Sequence, residues 1–153
     1  LPVAYLNIDS LLSNYQFAQE ANEKLMTKQE DARLKLNTKL RTLQNEMADF
    51  QRKLDNGAFL SQERAQKEYQ KLQKKQQDLE QLEAKLTQDI LEENQALNLQ
   101  LSDSLMNYLK IYNADGRFEI ILNNNAKDNI LMAADGYDIT QDVVNGLNAR
   151  YAK

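Results

Sequence analysis

The sequence predicts an α+β protein in which a long antiparallel α-helical coiled-coil hairpin joins a small β-rich oligomerisation body. Three observations carry this prediction. Apolar residues recur every three or four positions along two long stretches, which is the pattern of a coiled-coil seam. Gly57 alone interrupts the span from Asp9 to Asn113, which contains no proline. Toward both chain ends the apolar period falls to two, which is typical of strands.

The first strand is predicted over residues 3–8, where the sequence reads VAYLNI. Asp9 or Ser10 is expected to cap the helix that follows, because short polar side chains accept hydrogen bonds from the first free backbone N–H groups. The seam of this helix runs from Leu11 to Leu54 in steps of four and three residues. We therefore predict one continuous helix up to the break at Gly57.

The Asn56-Gly57 pair is predicted to form the tip of the hairpin, and Ser61 to cap the second helix. The seam of the second helix runs from Ala65 to Tyr112. Folding the chain at the tip brings the two seams into a single register, which is strong support for an antiparallel hairpin. The expected neighbours are Leu40 with Leu79, Ala32 with Leu86, Ala18 with Leu101, and Tyr15 with Leu105.

Two further strands are predicted after the second helix, over residues 117–122 and 129–133, with a polar loop over residues 123–128 between them. Thr140 is expected to cap a last helix ending near Tyr151, with Ile139 and Val144 as a hydrophobic staple. Gly146 lies inside that helix, where glycine costs about 1 kcal/mol relative to alanine, so we expect it to permit close backbone packing.

These elements give a body formed by residues 1–8 and 113–153, and an arm formed by residues 9–112 with its tip near residues 56–61. A body of this size is marginally stable alone, and the chain has no Cys or His to add a disulfide or a zinc site. Self-association would cover its strand edges. The predicted oligomerisation core is Leu6, Ile8, Phe118, Ile120, Leu122, Ile130, Met132 and Val143.

Composition argues against several functions. Without His or Cys there is no ordinary nucleophile–base pair or soft-metal site, and no GxxxxGK[ST] loop indicates ATP use. We therefore predict no enzymatic activity, no cofactor and no metal. A net charge of −4 and a pI near 5.0 argue against nucleic-acid binding. The apolar runs are too short for a transmembrane segment, and no signal peptide precedes the first strand, so a mature or trimmed form is expected.

The segments VAYLNIDSLL, YNADGRFEIIL and GYDITQDVVNGLN, together with the long hairpin between them, resemble the Skp (OmpH) family of periplasmic chaperones. The tip sequence AFLSQER and the Asn-rich loop after Leu122 look like those of Bacteroidetes-type members. The resemblance implies a homotrimer with a β-barrel-like body and three α-helical tentacles around a cavity. It implies a holdase that binds unfolded outer-membrane proteins in the periplasm without ATP.

One departure from the family is plain: its best-known members are strongly basic, whereas this chain is acidic overall. That weakens the case for a lipopolysaccharide-binding role. A prefoldin-like chaperone is disfavoured, because its β-hairpins lie between the helices and here the strands lie at the chain ends. A structural coiled-coil tether or adaptor without chaperone activity stays open as the alternative.

The candidate client contacts lie toward the tip. Phe59 and Leu60 are apolar residues at the turn, although each could simply pack locally. Residues 32–75 contain eleven basic and five acidic residues, a net charge of +6, whereas residues 9–31 and 76–112 together carry −8. This separation predicts that basic side chains near the tip, represented by Lys71, Lys74 and Lys75, attract acidic clients.

Overall fold

The computed structural model describes residues 2–127 and 129–153. In chain order it contains strand β1, helices α1, α2 and α3, strand β2, a 3-10 turn and helix α4. The bounds of these elements are Val3–Leu6, Ile8–Asn14, Gln16–Asp55, Gln62–Tyr112, Ile120–Asn123, Asp135–Tyr137 and Thr140–Tyr151. The predicted α+β class with a long helical hairpin is confirmed.

The chain divides into two compact units. One, which we call the terminal unit, contains the described residues up to Lys24 and those from Asn94 onward. The other, the hairpin unit, is Leu25–Glu93. The predicted boundary between body and arm, at residues 8 and 113, stays a prediction, and Leu1 lies outside the described residues.

The hairpin unit pairs its two helices in the predicted register. Leu40 and Leu79 line one groove between the helices, and Ala32 and Leu86 line another. An ion pair between Lys75 Nζ and Glu46 Oε2, at 2.6 Å, joins the two helices. The seam predicted from periodicity is therefore the contact that holds this unit together.

The turn after α2 explains the glycine at the tip. Gly57 has a φ of +62°, a left-handed conformation that costs a residue with a Cβ roughly 1–2 kcal/mol. The N–H of Ala58 donates to the carbonyl of Lys53 at 2.9 Å, and the N–H of Gly57 donates to the carbonyl of Leu54 at 3.2 Å. This pair of bonds is a Schellman motif, which satisfies carbonyl groups at the end of a helix. Ser61 then caps α3 as predicted, since its Oγ accepts from the Arg64 N–H at 3.2 Å.

In the terminal unit, β1 and β2 form a parallel pair in which Val3 lies opposite Ile120 and Leu6 opposite Asn123. On its other side β1 meets the segment before α4, where the Ile139 N–H donates to the Tyr5 carbonyl at 2.9 Å. The second strand is shorter than predicted and begins three residues later. β1 is thus the centre of the small sheet.

The predicted third strand at residues 129–133 is wrong, because this segment has no regular structure. Leu131 and Met132 are 96% and 91% exposed. A strand needs a neighbouring strand to satisfy its backbone groups, and the described chain offers none here. In the predicted polar loop before it, Asp128 lies outside the described residues.

The first helix differs from its prediction at two points. Its cap is Asn7, whose Oδ1 accepts from the Ser10 N–H at 3.1 Å, instead of Asp9 or Ser10. The helix is also interrupted at Tyr15, whose ψ of 115° is extended. The side chain of Asn148 in α4 bridges this break, because it accepts from the Gln16 N–H at 2.7 Å and donates to the Asn14 carbonyl at 2.9 Å. A contact distant in sequence therefore replaces the missing helical bonds.

The start of α4 also differs from the prediction that Thr140 caps this helix. Thr140 is the first residue of the helix, and Asp138 Oδ1 accepts from both its N–H at 2.9 Å and its hydroxyl at 2.5 Å. The Thr140 hydroxyl oxygen accepts from the Asn7 N–H at 2.9 Å. Instead of capping its own helix, Thr140 therefore ties α4 to the end of β1.

Every helix of the terminal unit contributes residues to its core. Its buried residues are Ala4, Leu6, Leu11, Tyr15, Ala18, Leu101, Leu105, Ile139, Val143, Val144 and Leu147. The predicted neighbours Ala18 and Leu101, and Tyr15 and Leu105, are all members, and both residues of the predicted staple belong to it. The long helices therefore supply part of the core that the two short strands could not build.

Gly146 permits close packing against a side chain, instead of the close backbone packing that was predicted. A Cβ at this position would lie 1.6 Å from the Oη and 2.3 Å from the Cζ of Tyr108. Neither approach is possible without displacement of the tyrosine ring. Glycine at this position therefore lets the Tyr108 ring of α3 lie directly against α4.

We predict that Gly146→Ala destabilises the protein by about 1–3 kcal/mol, the usual cost of overpacking, measured by urea unfolding followed by circular dichroism. Gly136→Ala is the matched control, because no atom lies within 4 Å of its added Cβ, and we expect a change within about 0.5 kcal/mol. In a Tyr108→Ala background, Gly146→Ala should instead stabilise the helix. A cost that persists without the tyrosine ring would contradict this explanation.

Candidate functional site

A cavity of about 480 Å³ lies at the turn between α2 and α3, and we call it the tip pocket. Its apolar lining consists of Ala58, Phe59 and Leu60, and its charged lining is mostly basic. The charged residues are Lys53, Arg64, Lys67, Lys71 and Glu68. The positive end of the α3 dipole adds to this basic character, so the pocket is suited to an acidic group beside an apolar one.

The two apolar residues predicted as contacts differ in their surroundings. Phe59 is half-buried and packs against Phe50, with ring centroids 5.5 Å apart, and Phe50 in turn lies 6.1 Å from Tyr69. Leu60 is 83% exposed. Phe59 therefore belongs to a local aromatic cluster, which leaves Leu60 as the apolar side chain presented to solvent.

The three predicted lysines are not brought together. Lys71 lines the tip pocket, whereas Lys75 is paired with Glu46 and lines a groove farther along the hairpin. Lys74 is exposed and lines neither cavity. Sequence reasoning missed Lys53, Arg64 and Lys67, although the helical register around the turn could have indicated them.

Several other charges of the hairpin unit form ion pairs within one helix. Arg52 pairs with Asp49, and Lys67 pairs with Glu63 at 3.5 Å. The Arg33 guanidinium donates to the Glu30 carboxylate, which lowers the pKa of Glu30 and raises that of Arg33. All these side chains are more than half exposed, and such pairs contribute about 0–1 kcal/mol. They shape the surface charge more than the stability.

Many apolar side chains of the hairpin unit are exposed to solvent. Of its residues, only the side chains of Leu43 and Leu72 are buried. A groove of about 530 Å³ passes over Leu43 and Leu79, between walls that carry Thr38, Thr42 and Leu82. Leu40, which lines another groove, is more than 40% exposed, and so are Leu34, Leu54 and Tyr69 outside the grooves. This unit can therefore offer apolar contacts along its length as well as at the tip.

The predicted oligomerisation residues occupy three kinds of environment in the terminal unit. Leu6 and Val143 are buried in the core, while Ile8 and Phe118 pack against it. Ile130 is half-buried. The remaining three are open to solvent, with Ile120 at 45%, Leu122 at 41% and Met132 at 91% exposure. We call the exposed set formed by Ile120, Leu122, Leu131 and Met132 the open face; its most exposed member, Leu131, was missed from the sequence.

The YNADGRF segment is held by an amide clamp that sequence reasoning did not identify. Asn113 Oδ1 accepts from the Phe118 N–H at 3.0 Å, and its Nδ2 donates to the Phe118 carbonyl at 2.8 Å. The Arg117 guanidinium lies 4.7 Å from the centre of the Tyr112 ring, a cation–π contact. These contacts set the direction in which the chain enters β2 and the open face.

A second tie joins α4 to α2 within the terminal unit. The Tyr151 hydroxyl donates to the Glu20 carboxylate. This bond lowers the pKa of Glu20 and raises that of Tyr151. Tyr151 also packs edge-on against Phe17, with centroids 5.4 Å apart. These contacts hold the end of α4 against α2, and we assign them a structural role.

Among residues 2–127 and 129–153, no group of three or more potential metal-binding side chains is close enough to hold an ion. No helix in that same part of the chain is long and apolar enough to cross a membrane. The arrangement offers surfaces for binding other chains.

Comparisons with known proteins agree with this geometry. A family model described as outer membrane protein (OmpH-like) matches residues 2–147. A crystal structure from Caulobacter crescentus CB15, assigned as an OmpH-like outer membrane chaperone, aligns with a TM-score of 0.84. The alignment covers 97% of this chain and 84% of that one at 17% sequence identity, so the likeness establishes the fold. A search of curated proteins gave no significant match.

The tip geometry predicts different costs for its two apolar residues. Phe59→Ala should destabilise the hairpin unit by about 0.5–1.5 kcal/mol through the lost aromatic pair, whereas Leu60→Ala should change stability by less than about 0.5 kcal/mol. Amide hydrogen exchange at the ends of α2 and α3 measures both. Equal costs for the two substitutions would contradict the assignment of Phe59 to the local cluster.

Proposed function

This chain belongs to the OmpH-like family of outer membrane proteins, and from that premise we propose that it is an ATP-independent periplasmic holdase. In this proposal three copies associate through their terminal units, and unfolded outer-membrane proteins bind between the hairpin arms of the homotrimer. The observation that carries the proposal is the amount of apolar surface left open in both units. Exposed apolar surface of this extent marks a site of interaction.

The open face supports association between copies. Leu131 and Met132 are almost fully exposed, and β2 pairs on one side only within the described residues. An unpaired strand edge beside apolar side chains is a template for pairing with another chain. We propose that a neighbouring copy covers this face and that Ile120, Leu122, Ile130 and Met132 become buried there, joining the core around Leu6, Ile8, Phe118 and Val143.

The hairpin unit supports client binding. Its grooves present a leucine or another apolar residue at nearly every turn, and charged side chains rim the grooves. Contacts of this kind are individually weak and have little sequence preference, which suits an unfolded chain. Three arms acting together would raise the overall affinity through effective concentration.

A light-scattering assay tests the proposed function directly. An outer-membrane β-barrel protein is diluted from urea with and without the chain, and we expect scattering to be suppressed without ATP. Leu60→Ser is expected to weaken the suppression, whereas Phe59→Ser should act mainly through stability. Scattering that is unchanged by the wild-type chain would favour the alternative of a structural tether or adaptor.

We predict that Ile120→Asp dissociates the oligomer, because the association would bury an unpaired carboxylate. Sedimentation velocity at micromolar concentration measures the assembly, and circular dichroism checks that the chain remains folded. Ile120→Val is the matched control and should assemble as the wild type does. An Ile120→Asp variant that still sediments as the wild-type species would remove Ile120 from the interface.

The basic hairpin surface gives the second part of the proposal. Residues 32–75 carry a net charge of +6, while the whole chain carries −4. The net charge of the chain therefore does not reveal the local positive potential of this segment. Long-range attraction of this kind accelerates encounter more than it strengthens the final complex. We propose that it steers acidic unfolded clients toward the arms.

We expect stopped-flow capture of an acidic client to slow as salt is added, and to slow further in the variant Lys71→Gln, Lys74→Gln, Lys75→Gln. The matched control replaces Lys24, Lys85 and Lys110 by Gln, which removes the same charge outside residues 32–75. It should have the smaller effect. Capture rates that depend neither on the salt concentration nor on the triple lysine substitution would refute electrostatic steering.

A further inference from the structure

The dipeptide Asn-Gly occurs twice in this chain, at Asn56-Gly57 and at Asn145-Gly146. The two pairs are chemically identical and lie in opposite surroundings. The first forms the turn between α2 and α3, and the second lies inside α4. The chain therefore contains its own comparison of how folding controls the reactivity of this dipeptide.

An asparagine followed by glycine can undergo an intramolecular reaction. The glycine backbone nitrogen loses its proton to water or hydroxide and attacks the Cγ of the asparagine. A new C–N bond closes a five-membered imide, and the side-chain nitrogen leaves as ammonia after gaining a proton. Water then opens either carbonyl of the imide, which gives aspartate or isoaspartate. The reaction depends on close approach of two neighbouring groups, so the backbone must be free to move.

The surroundings of Asn56 leave that freedom. Asn56 and Gly57 are both exposed, and a Cβ built on Gly57 meets no atom within 4 Å. Within the described residues, the Asn56 side-chain amide forms no hydrogen bond. The N–H of Gly57 donates to the Leu54 carbonyl at 3.2 Å, the longest of the three backbone bonds at this turn. Opening this bond disturbs the end of one helix and displaces no buried side chain.

Asn145 is also exposed, but its side chain and the backbone that follows it are restrained. Its Oδ1 accepts from Gln141 Nε2 at 2.9 Å. The N–H of Gly146 is part of the α4 ladder, and the glycine lies against the Tyr108 ring. Val144 and Leu147, the next residues on either side, are buried in the core. Bringing the Gly146 nitrogen onto the Asn145 side chain would therefore require the opening of α4.

We propose that Asn56 is a site of spontaneous deamidation in the folded protein and that the fold protects Asn145. The product places a carboxylate at the turn beside the basic tip pocket. In its isoaspartate form it also inserts one extra methylene into the backbone that the Schellman motif closes. The modification is thus directed to the tip and leaves the terminal unit unchanged.

Mass spectrometry after prolonged incubation of the whole folded chain tests this proposal. Trypsin releases LDNGAFLSQER, in which Asn56 is the only asparagine, and its conversion is followed by the mass gain and by separation of the isoaspartate form. We expect Asn56 to convert at least about tenfold faster than Asn145, because opening α4 is a larger local unfolding than opening the turn. In denaturant the two sites should convert at similar rates.

Two variants complete the test. Asn56→Gln should abolish the mass gain of this peptide, since glutamine closes a larger ring far more slowly. Gly57→Ala should slow it, because a Cβ hinders the attacking nitrogen. Conversion of Asn145 as fast as Asn56 in the folded chain would overturn the proposal. So would an unmodified Asn56 in the folded chain alongside conversion in denaturant.

Discussion

Two packed helices cover each other along one line and leave the flanks of that line open to solvent. The hairpin unit shows this constraint directly, because only Leu43 and Leu72 are buried there although apolar residues follow the seam throughout. Grooves flank the seam where a third helix would lie in a bundle. The chain therefore has stable helices and a large accessible apolar surface at the same time, which is the combination that binding an unfolded chain requires.

The terminal unit relieves the same constraint with a third helix. Here α4 covers the beginning of α2 and the end of α3, and the glycine at position 146 lets it approach closely. Polar side chains complete the closure: Asn148 bridges the break at Tyr15, and Thr140 ties α4 to the end of β1. What remains exposed is Ile120 and Leu122 of β2 and the segment that carries Leu131 and Met132. We propose that this open face is covered by association instead of by the chain itself.

Features that follow from a regular repeat or a local turn were predictable from the sequence, and irregular contacts between distant residues were not. Seam periodicity predicted the hairpin and its register, and Gly57 with Ser61 predicted the turn, because a repeat that runs through both helices fixes the pairing of even distant residues once the turn is placed. The strand predicted at residues 129–133 is wrong because residues 2–127 and 129–153 offer no partner strand for it. The side chains of Asn7 and Asp138 that accept from the first N–H groups of α1 and α4 lie two or three positions before the predicted caps. At α4 the reason is that the Thr140 hydroxyl accepts from the distant Asn7 N–H and not from its own helix. At the tip, the sequence did not identify the residues that line the pocket with Lys71, because two helices contribute to that pocket. These residues are Lys53, Arg64 and Lys67.

The claim on which the account depends is that the open face is covered by other copies of this chain. Native mass spectrometry of the unmodified protein tests it most directly, because one chain has a mass of 17.7 kDa and the number of copies is read from the total. We expect a dominant species with three times the mass of one chain at micromolar concentration. A monomer that persists across the micromolar range would contradict it.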